Sequence, residues 1–245
     1  LQQMGRVLEN GHIDGPAEDA LRMSLEINPH QPEVAQHWIA LRQRQCKWPA
    51  VEAAEFIPKT ALYANISPLS TAVMLDDPVF QLARAAAYAK QSIPLPTGAA
   101  PDHQSRQGPR PQRLKIGYVS SDLREHAVGF GLSELMELHD HARYEIHAYY
   151  CGINREDATK ERIRSSVDHW TDINGMSDDA AAQRIRDDGI DILIDVNGFT
   201  RDARTAVFAR RPAPIQVNWY GFPGTMGTPY HNYIIADPYV LPEEN

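Results

Sequence analysis

The sequence predicts an α/β domain built on a parallel, doubly wound sheet and preceded by an all-helical segment. Three observations predict it. Apolar residues recur at three- and four-residue steps near the start, a stretch rich in Pro and Gly follows at 94–112, and strand-like runs then alternate with helical patterns. Strands separated by helices pair in parallel, and such sheets bind ligands beyond the carboxyl ends of their strands.

Composition and charge exclude several classes of function. The net charge of -8 leaves no basic field for nucleic acid or for an anionic membrane. Cys46 and Cys151 are the two cysteines and form no CxxC pair, which excludes a disulfide framework and a zinc knuckle and is typical of a reducing compartment. No apolar run is long enough to span a bilayer, and no basic-then-apolar leader opens the chain. We therefore expect a cytoplasmic protein.

Residues 1–46 form the predicted helical segment. Leu1, Met4 and Leu8 indicate a first helix, a second follows Pro16, and a third covers 33–45. The spacing of small and large residues resembles one tetratricopeptide repeat, whose period is about 34 residues. The residues that match are Met4, Gly5, Leu8, Ala17, Leu21, Ser24 and Pro29. A generic helical hairpin is the alternative interpretation.

Three further regions follow along the chain. Residues 47–93 are predicted to be connecting helices punctuated by prolines, and 94–112 a linker or long loop, because this stretch has too little apolar surface to order itself. Residues 113–245 are predicted to form the α/β domain. Its predicted strands are 114–119, 145–150, 190–196, 215–219 and 233–236. Its predicted helices are 131–141, 157–167, 178–188 and 202–209.

Polar residues after the predicted strands are the candidates for chemistry. His126 follows the first strand, and an imidazole can accept a proton from a hydroxyl nucleophile near neutral pH. The alternative is that this histidine caps the next helix. Asn197 and Gly198 follow the third strand and form either a simple turn or a hydrogen-bonding site for a sugar hydroxyl.

The loop at 220–225 after the next strand is the densest signal. Its glycines allow a ligand to approach the backbone closely, although a glycine-rich structural turn is equally consistent with the pattern. It is neither a GxGxxG fingerprint nor a P-loop. The candidate residues in this loop are Tyr220, Gly221, Phe222, Pro223, Gly224 and Thr225.

Together these stretches resemble one family, protein O-GlcNAc transferase (glycosyltransferase family 41), in its bacterial branch. The resemblance rests on 115–122 with His126, on 188–195 leading into 197–200, on 211–216 and on 221–225. Upstream, 46–48 and 66–69 resemble the segment that joins the family's tetratricopeptide array to its catalytic region. The matching stretches cover nearly the whole chain, in the family's order.

The resemblance implies a GT-B fold, with this chain supplying the end of the repeat region and the N-terminal Rossmann-like lobe. It implies inverting, metal-independent transfer of N-acetylglucosamine from UDP-GlcNAc to Ser/Thr hydroxyls of proteins. No cofactor is implied beyond the donor substrate, and no metal site. The implied partners are acceptor polypeptides along the repeats and a C-terminal catalytic lobe that binds UDP.

The resemblance also assigns roles to residues. His126 matches the histidine proposed as general base, and Asn197, Gly198 and the 220–225 loop match stretches that face the donor sugar and the acceptor. Gln183 stands where animal members have a carboxylate that has also been proposed as the base, so the identity of the base stays open. The alternative function is a non-catalytic tetratricopeptide and Rossmann-like scaffold that binds a peptide or a regulator.

Overall fold

The computed structural model describes residues 1–51, 55, 57–96, 101, 103 and 112–242. The chain divides into two compact units, Leu1–Arg84 and Ala85–Asn245. Most of the predicted linker at 94–112 lies outside the described residues. The predicted region boundaries at 46, 93 and 112 stay predictions.

The first unit begins with three helices, α1 (Gln2–Asn10), α2 (Asp14–Ile27) and α3 (Pro32–Arg44). Helix α2 begins two residues before Pro16, because a proline in the first helical turn replaces an N–H that has no partner within the helix. Gly5 is buried, and a Cβ placed there would lie 2.4 Å from Leu21 Cδ2. The small residue thus lets α1 and α2 pack closely, although their assignment to a tetratricopeptide repeat stays a prediction.

Two short helices, α4 (Lys59–Asn65) and α5 (Pro68–Met74), and a longer one, α6 (Pro78–Ser92), follow. Prolines mark where they begin: Pro58 precedes α4, and α5 and α6 each begin with a proline. The division between the two units falls within α6. Among the residues that the structure describes, no helix has the length and apolar character needed to cross a membrane.

The second unit contains a six-stranded sheet, all of whose strand pairs within the described residues are parallel. Its strand order is β3-β2-β1-β4-β5-β6, so the chain crosses from one side of β1 to the other between β3 and β4. The strands are β1 (Leu114–Ser120), β2 (Tyr144–Tyr150), β3 (His169–Asp172), β4 (Ile192–Asp195), β5 (Ile215–Trp219) and β6 (Tyr233–Ile235). The predicted α/β class with a parallel, doubly wound sheet is therefore confirmed.

Four helices accompany the sheet: α7 (Ala127–Glu137), α8 (Ala158–Ser165), α9 (Asp178–Asp188) and α10 (Thr205–Ala209). The helix starts predicted at 131 and 202 are wrong by three or four residues, and the strand predicted at 190–196 is shorter, because β4 covers Ile192–Asp195. Helix α7 begins four residues before 131, because Gly129 is tolerated inside it where the backbone of Arg124 approaches closely. Helix α10 begins at Thr205 rather than 202, because Asp202 has a left-handed backbone with φ of 61° that a helix cannot include.

Buried side chains cover both faces of the sheet. Tyr118, Ile146 and Tyr150 belong to the cluster on one face, which includes Leu132 of α7 and Ile163 of α8. A second cluster contains Val119, Tyr149 and Leu193 with residues of α9 and α10. Successive residues of one strand point to opposite faces, so these strands are apolar on both sides, as a parallel sheet requires. The two layers of helix leave the strand ends as the accessible part of the sheet.

A test of this packing is the replacement of Gly129 by Ala. The added Cβ would lie 1.9 Å from the carbonyl oxygen of Arg124, a backbone atom that cannot move aside cheaply. We expect Gly129→Ala to lower the free energy of unfolding by about 1–3 kcal/mol or more, measured by urea denaturation of the full-length protein.

The matched control is Gly175→Ala, because a Cβ at exposed Gly175 meets nothing within 4 Å. Its effect should stay within about 0.5 kcal/mol. Equal urea midpoints for the two variants would contradict the tight approach of α7 to the loop before it.

Candidate active site at the carboxyl ends of the strands

The ends of β1 and β4 meet through Asn197. The two strands are neighbours, and the side chain of Asn197 is buried with 1% exposure. Its Oδ1 accepts from the backbone N–H of Ser121 at 2.8 Å, and its Nδ2 donates to Ser121 Oγ at 2.9 Å and to Asp122 Oδ2 at 3.0 Å. This amide therefore holds together the two segments that carry the candidate residues, and its polar atoms are engaged by the protein itself.

Asp195, the last residue of β4, holds the turn that follows this strand through hydrogen bonds. Its Oδ1 accepts from the backbone N–H groups of Asn197 and Gly198 at 3.0 and 2.9 Å. Its Oδ2 lies 3.2 Å from Nε2 of His231, whose side chain is 5% exposed and stacks on Phe208. The carboxylate thus fixes the turn after β4 and ties it to the segment before β6.

His126 is the N-cap of α7, where its Nδ1 accepts from the backbone N–H of Val128 at 3.2 Å. An Nδ1 that accepts this hydrogen bond carries no proton, so the neutral ring has its proton on Nε2. A role as general base through Nε2 requires the other tautomer. In that tautomer Nδ1 carries a proton. The Asp122 carboxylate lies 3.9 Å from Nδ1 and can accept this proton in a hydrogen bond when the ring turns towards it. The imidazole is 40% exposed and reachable from solvent.

Tyr220 brings the loop after β5 onto α7. Its backbone is left-handed with φ of 78°, which is unusual for a residue with a side chain. Its hydroxyl oxygen lies 1.8 Å from the position that a Cβ of Gly131 would occupy. The absence of a side chain at Gly131 therefore makes room for the tyrosine. The structure places Tyr220 and His126 on or beside the first turns of the same helix.

At the glycines of this edge, other atoms of the protein occupy the space that a side chain would need. A Cβ on Gly221 would lie 1.9 Å from the carbonyl oxygen of Val196. Gly198 has φ of +58°, and a Cβ there would lie 2.4 Å from Cβ of Phe222, whose ring in turn approaches Gly224. The sequence predicts that these residues are glycines because a ligand approaches their backbone closely. In the structure, internal packing already requires a glycine at 198 and 221, and a side chain at 224 would press on the ring of Phe222.

Phe222 and its neighbours differ in how much of them a ligand can reach. The ring of Phe222 is 3% exposed and packs edge-on against Phe199, with ring centroids 5.5 Å apart. Pro223 is exposed, and Gly224 and Thr225 are half-buried. A ligand at this loop would therefore contact its backbone, Tyr220, Pro223 or Thr225 rather than the phenylalanine ring.

A cavity of about 310 Å³ lies beside the turn at Gly198. Its lining includes Phe199, Thr200, Tyr88 and Arg204. Arg204 pairs with Asp178 at 2.7 Å and also donates to the carbonyl oxygens of Ile173 and Met176 at 3.0 and 2.9 Å. The guanidinium is thus compensated within the protein, and the cavity suits a neutral polar group better than a diphosphate.

Cys151 lies near this edge but is unsuited to nucleophilic chemistry. Its backbone N–H donates to the carbonyl oxygen of Ser120 at 3.1 Å, and the residue is 4% exposed. Burial raises the pKa of the Cys151 thiol far above neutral pH. A protonated thiol is a poor nucleophile, so a nucleophilic step at Cys151 is disfavoured.

The structure brings the sequence-predicted residues to one edge of the sheet. His126 follows β1, Asn197 and Gly198 follow β4, and 220–225 follows β5. Their roles in catalysis and binding stay predictions. Sequence reasoning missed the contribution of Asp195 and His231. An acidic residue two positions before Asn197 is a signal for a side chain that bonds the following backbone N–H groups, whereas nothing in the sequence pairs it with His231.

A parallel Rossmann-like lobe with polar residues beyond the carboxyl ends of β1, β4 and β5 is the architecture of an α/β domain that binds its ligand at that edge. The model for glycosyl transferase family 41 matches residues 82–245. Because this match covers more than half of the chain, the chain belongs to glycosyl transferase family 41.

Individual relatives are similar to about half of the chain. A probable UDP-N-acetylglucosamine–peptide N-acetylglucosaminyltransferase SEC of Arabidopsis thaliana is 41% identical over 131 residues, which are 54% of this chain and 13% of that protein. A UDP-N-acetylglucosamine–peptide N-acetylglucosaminyltransferase of Caenorhabditis elegans is 39% identical over 132 residues, 54% of this chain and 12% of that protein. The chain thus spans a small part of these relatives.

A solved structure of a mutant O-GlcNAc transferase from Thermobaculum terrenum superposes with a TM-score of 0.71 and 27% identity. The match covers 96% of this chain and 46% of that one. The fold is therefore that of a helical segment followed by one lobe of a GT-B glycosyltransferase, as the resemblance implied.

The hydrogen bonds of Asn197 to the segment after β1 can be tested through the stability of the protein. Asn197→Ala leaves the buried N–H of Ser121 without its acceptor, which we expect to cost about 1–3 kcal/mol of unfolding free energy. Asn10→Ala is the control, because Asn10 is exposed and belongs to α1, in the first unit. Urea denaturation of the full-length variants measures both. Loss of substrate binding without loss of stability in Asn197→Ala would instead favour direct contact of this amide with a ligand.

Proposed function

We propose that the full-length protein transfers N-acetylglucosamine from UDP-GlcNAc to Ser or Thr hydroxyls of proteins, with inversion and without a metal. This chain is the acceptor-side half of that enzyme and requires a C-terminal lobe for UDP. Membership of glycosyl transferase family 41 is the observation that carries the proposal. The names of the relatives, which specify UDP-N-acetylglucosamine and peptide, support the donor and the acceptor.

The reaction requires that the two substrates are positioned, that a base accepts the hydroxyl proton and that the negative charge of the leaving UDP is compensated. The acceptor oxygen attacks the anomeric carbon in line with the bond to UDP, that bond breaks, and the hydroxyl proton passes to a base. Holding both substrates in line supplies much of the rate. His126 is the proposed base, with Nε2 accepting the proton once Nδ1–H has turned to Asp122, which lies 3.9 Å away.

The proposed division of labour between lobes follows from the charges. The departing UDP is an anion and needs cationic groups or a helix N-terminus. Arg204 and Arg124 border this edge, and each lies beside an aspartate, Asp178 at 2.7 Å and Asp122 at 3.5 Å. We therefore assign the diphosphate to the other lobe and the sugar and acceptor to the 197–200 turn and the 220–225 loop. Acceptor polypeptides would reach them along the helical segment, in the cytoplasm, where unpaired cysteines are stable.

The alternative is a scaffold that binds a peptide or a regulator without chemistry. The capping hydrogen bond of His126 favours it, because Nδ1 already has a structural use. Calorimetric titration of the full-length protein with UDP-GlcNAc, with UDP release followed in the presence and absence of a Ser/Thr peptide, separates the two. Saturable binding with peptide-dependent UDP release supports the transferase. No binding of any UDP-sugar supports the scaffold.

Two substitutions at His126 separate catalysis from capping. Asn is a strong N-cap but cannot act as a base at neutral pH, whereas Ala can do neither. If His126 is the base, we expect both His126→Asn and His126→Ala to lower kcat at least about 100-fold, the usual contribution of a positioned base. Only His126→Ala should also lose about 0.5–2 kcal/mol of stability.

Donor affinity, measured by calorimetry, should be unchanged in both variants, because the UDP site is assigned elsewhere. Full turnover in His126→Asn would remove this histidine from the mechanism and leave it as the cap of α7. Single-turnover measurements with saturating peptide ensure that the comparison reports the chemical step.

A further inference from the structure

Three metal-ligating side chains meet near the beginning of β2, away from the candidate active site. Glu145 and His147 are two residues apart in β2 and therefore point to the same face. His169, the first residue of β3, is paired in register with His147. The sequence alone predicts no metal site, because β3 is not among the predicted strands.

The donor atoms are close enough to share one ion. Glu145 Oε1 lies 3.1 Å from Nε2 of His147 and 3.0 Å from Nε2 of His169, and the donor atoms of the three residues all lie within 4.8 Å of one another. Zinc–nitrogen and zinc–oxygen bonds of about 2.0–2.1 Å place neighbouring ligands of a tetrahedral ion about 3.3 Å apart. Small side-chain rotations are therefore enough to receive an ion.

The three side chains differ in their exposure to solvent, and the most exposed one leaves a path by which an ion can enter. The side chain of His147 is 5% exposed and that of Glu145 is 19% exposed, so the sheet holds both in place. The side chain of His169 is 53% exposed, which provides a route of entry and space for a water as fourth ligand. Two imidazoles and one carboxylate are a ligand set that prefers transition-metal ions to Mg²⁺ or Ca²⁺.

We propose that Glu145, His147 and His169 bind one divalent transition-metal ion of the zinc class. The ion would join β3 to β2 through side chains. Strand β3 has only four residues and forms the edge of the sheet, so within the described part of the chain its backbone pairs with β2 alone. The site is structural and separate from sugar transfer, which is proposed to need no metal.

Lys115 is the group that opposes this site. Its Nζ lies 3.4 Å from Glu145 Oε1 and 3.0 Å from the carbonyl oxygen of Asp188. A bound cation repels the ammonium, which can keep the Asp188 carbonyl while giving up the carboxylate. Removing this charge should therefore tighten metal binding, whereas it would weaken a cluster held by ion pairing alone.

The test is a titration of the full-length protein after dialysis against a chelator. Zn²⁺ is followed by calorimetry and Co²⁺ by its visible absorption, which is intense when the ion is tetrahedral. We expect one ion per chain. His169→Ala should weaken binding at least about 10-fold, since loss of even an indirect partner of a metal ligand costs that much. Lys115→Met should tighten it by at least about 5-fold, the effect of two unit charges about 4 Å apart in water, because the ion is divalent.

Two further variants make the result decisive. His30→Ala removes an exposed histidine from outside the cluster and should bind as the wild type does. Glu145→Gln keeps an acceptor for both imidazoles but loses the charge, so a purely hydrogen-bonded cluster tolerates it and a metal site does not. We expect Glu145→Gln to remain folded in chelator, with only the small loss of Tm that removal of the ion pair with Lys115 causes, and to lose the rise in Tm that Zn²⁺ causes.

Three results would overturn the proposal. The first is the absence of stoichiometric binding of either ion by the wild type. The second is equal affinity in the wild type, His169→Ala and Glu145→Gln, and the third is a Zn²⁺-induced rise in Tm that survives in both variants.

Discussion

The buried amide of Asn197 is the contact on which the candidate active site depends. A parallel sheet leaves the residues beyond its strands without ladder partners, and buried polar groups there are costly unless they are hydrogen-bonded. Asn197 meets this requirement for the segment after β1, and Asp195 meets it for the turn after β4. Because each side chain bridges two segments, the positions of His126 and of the 197–200 turn are determined together.

Close packing of backbone and rings completes the arrangement. Gly221 lies against the carbonyl of Val196, and Gly198 makes room for Phe222. These glycines belong to the loops expected to face substrate. In the structure, each one allows its loop to pack closely against the neighbouring loop. A pre-organised edge of this kind suits a transferase, since reacting groups held in place lose little entropy on the way to the transition state.

The sequence predicts the parallel sheet well because its central strands are long apolar runs. Strand β5 has the predicted bounds, and β1 and β2 differ by one residue at one end. Strand β3 was missed because its four residues, half-buried at an edge, have no apolar pattern. The start of α7 was misplaced because glycines signal a break, whereas here they allow close approach of Arg124 and Tyr220. Contacts distant in sequence, such as Asp195 with His231, have no local signal at all.

The contact between Tyr220 and Gly131 has an evolutionary consequence. The tyrosine hydroxyl occupies the space that a side chain at position 131 would need. The constraint runs in one direction: position 220 can change while position 131 stays glycine, but a side chain at position 131 requires the residue at position 220 to be smaller or to point elsewhere. A side chain at position 131 should therefore be found together with a smaller residue, or a redirected one, 89 positions further along the printed sequence.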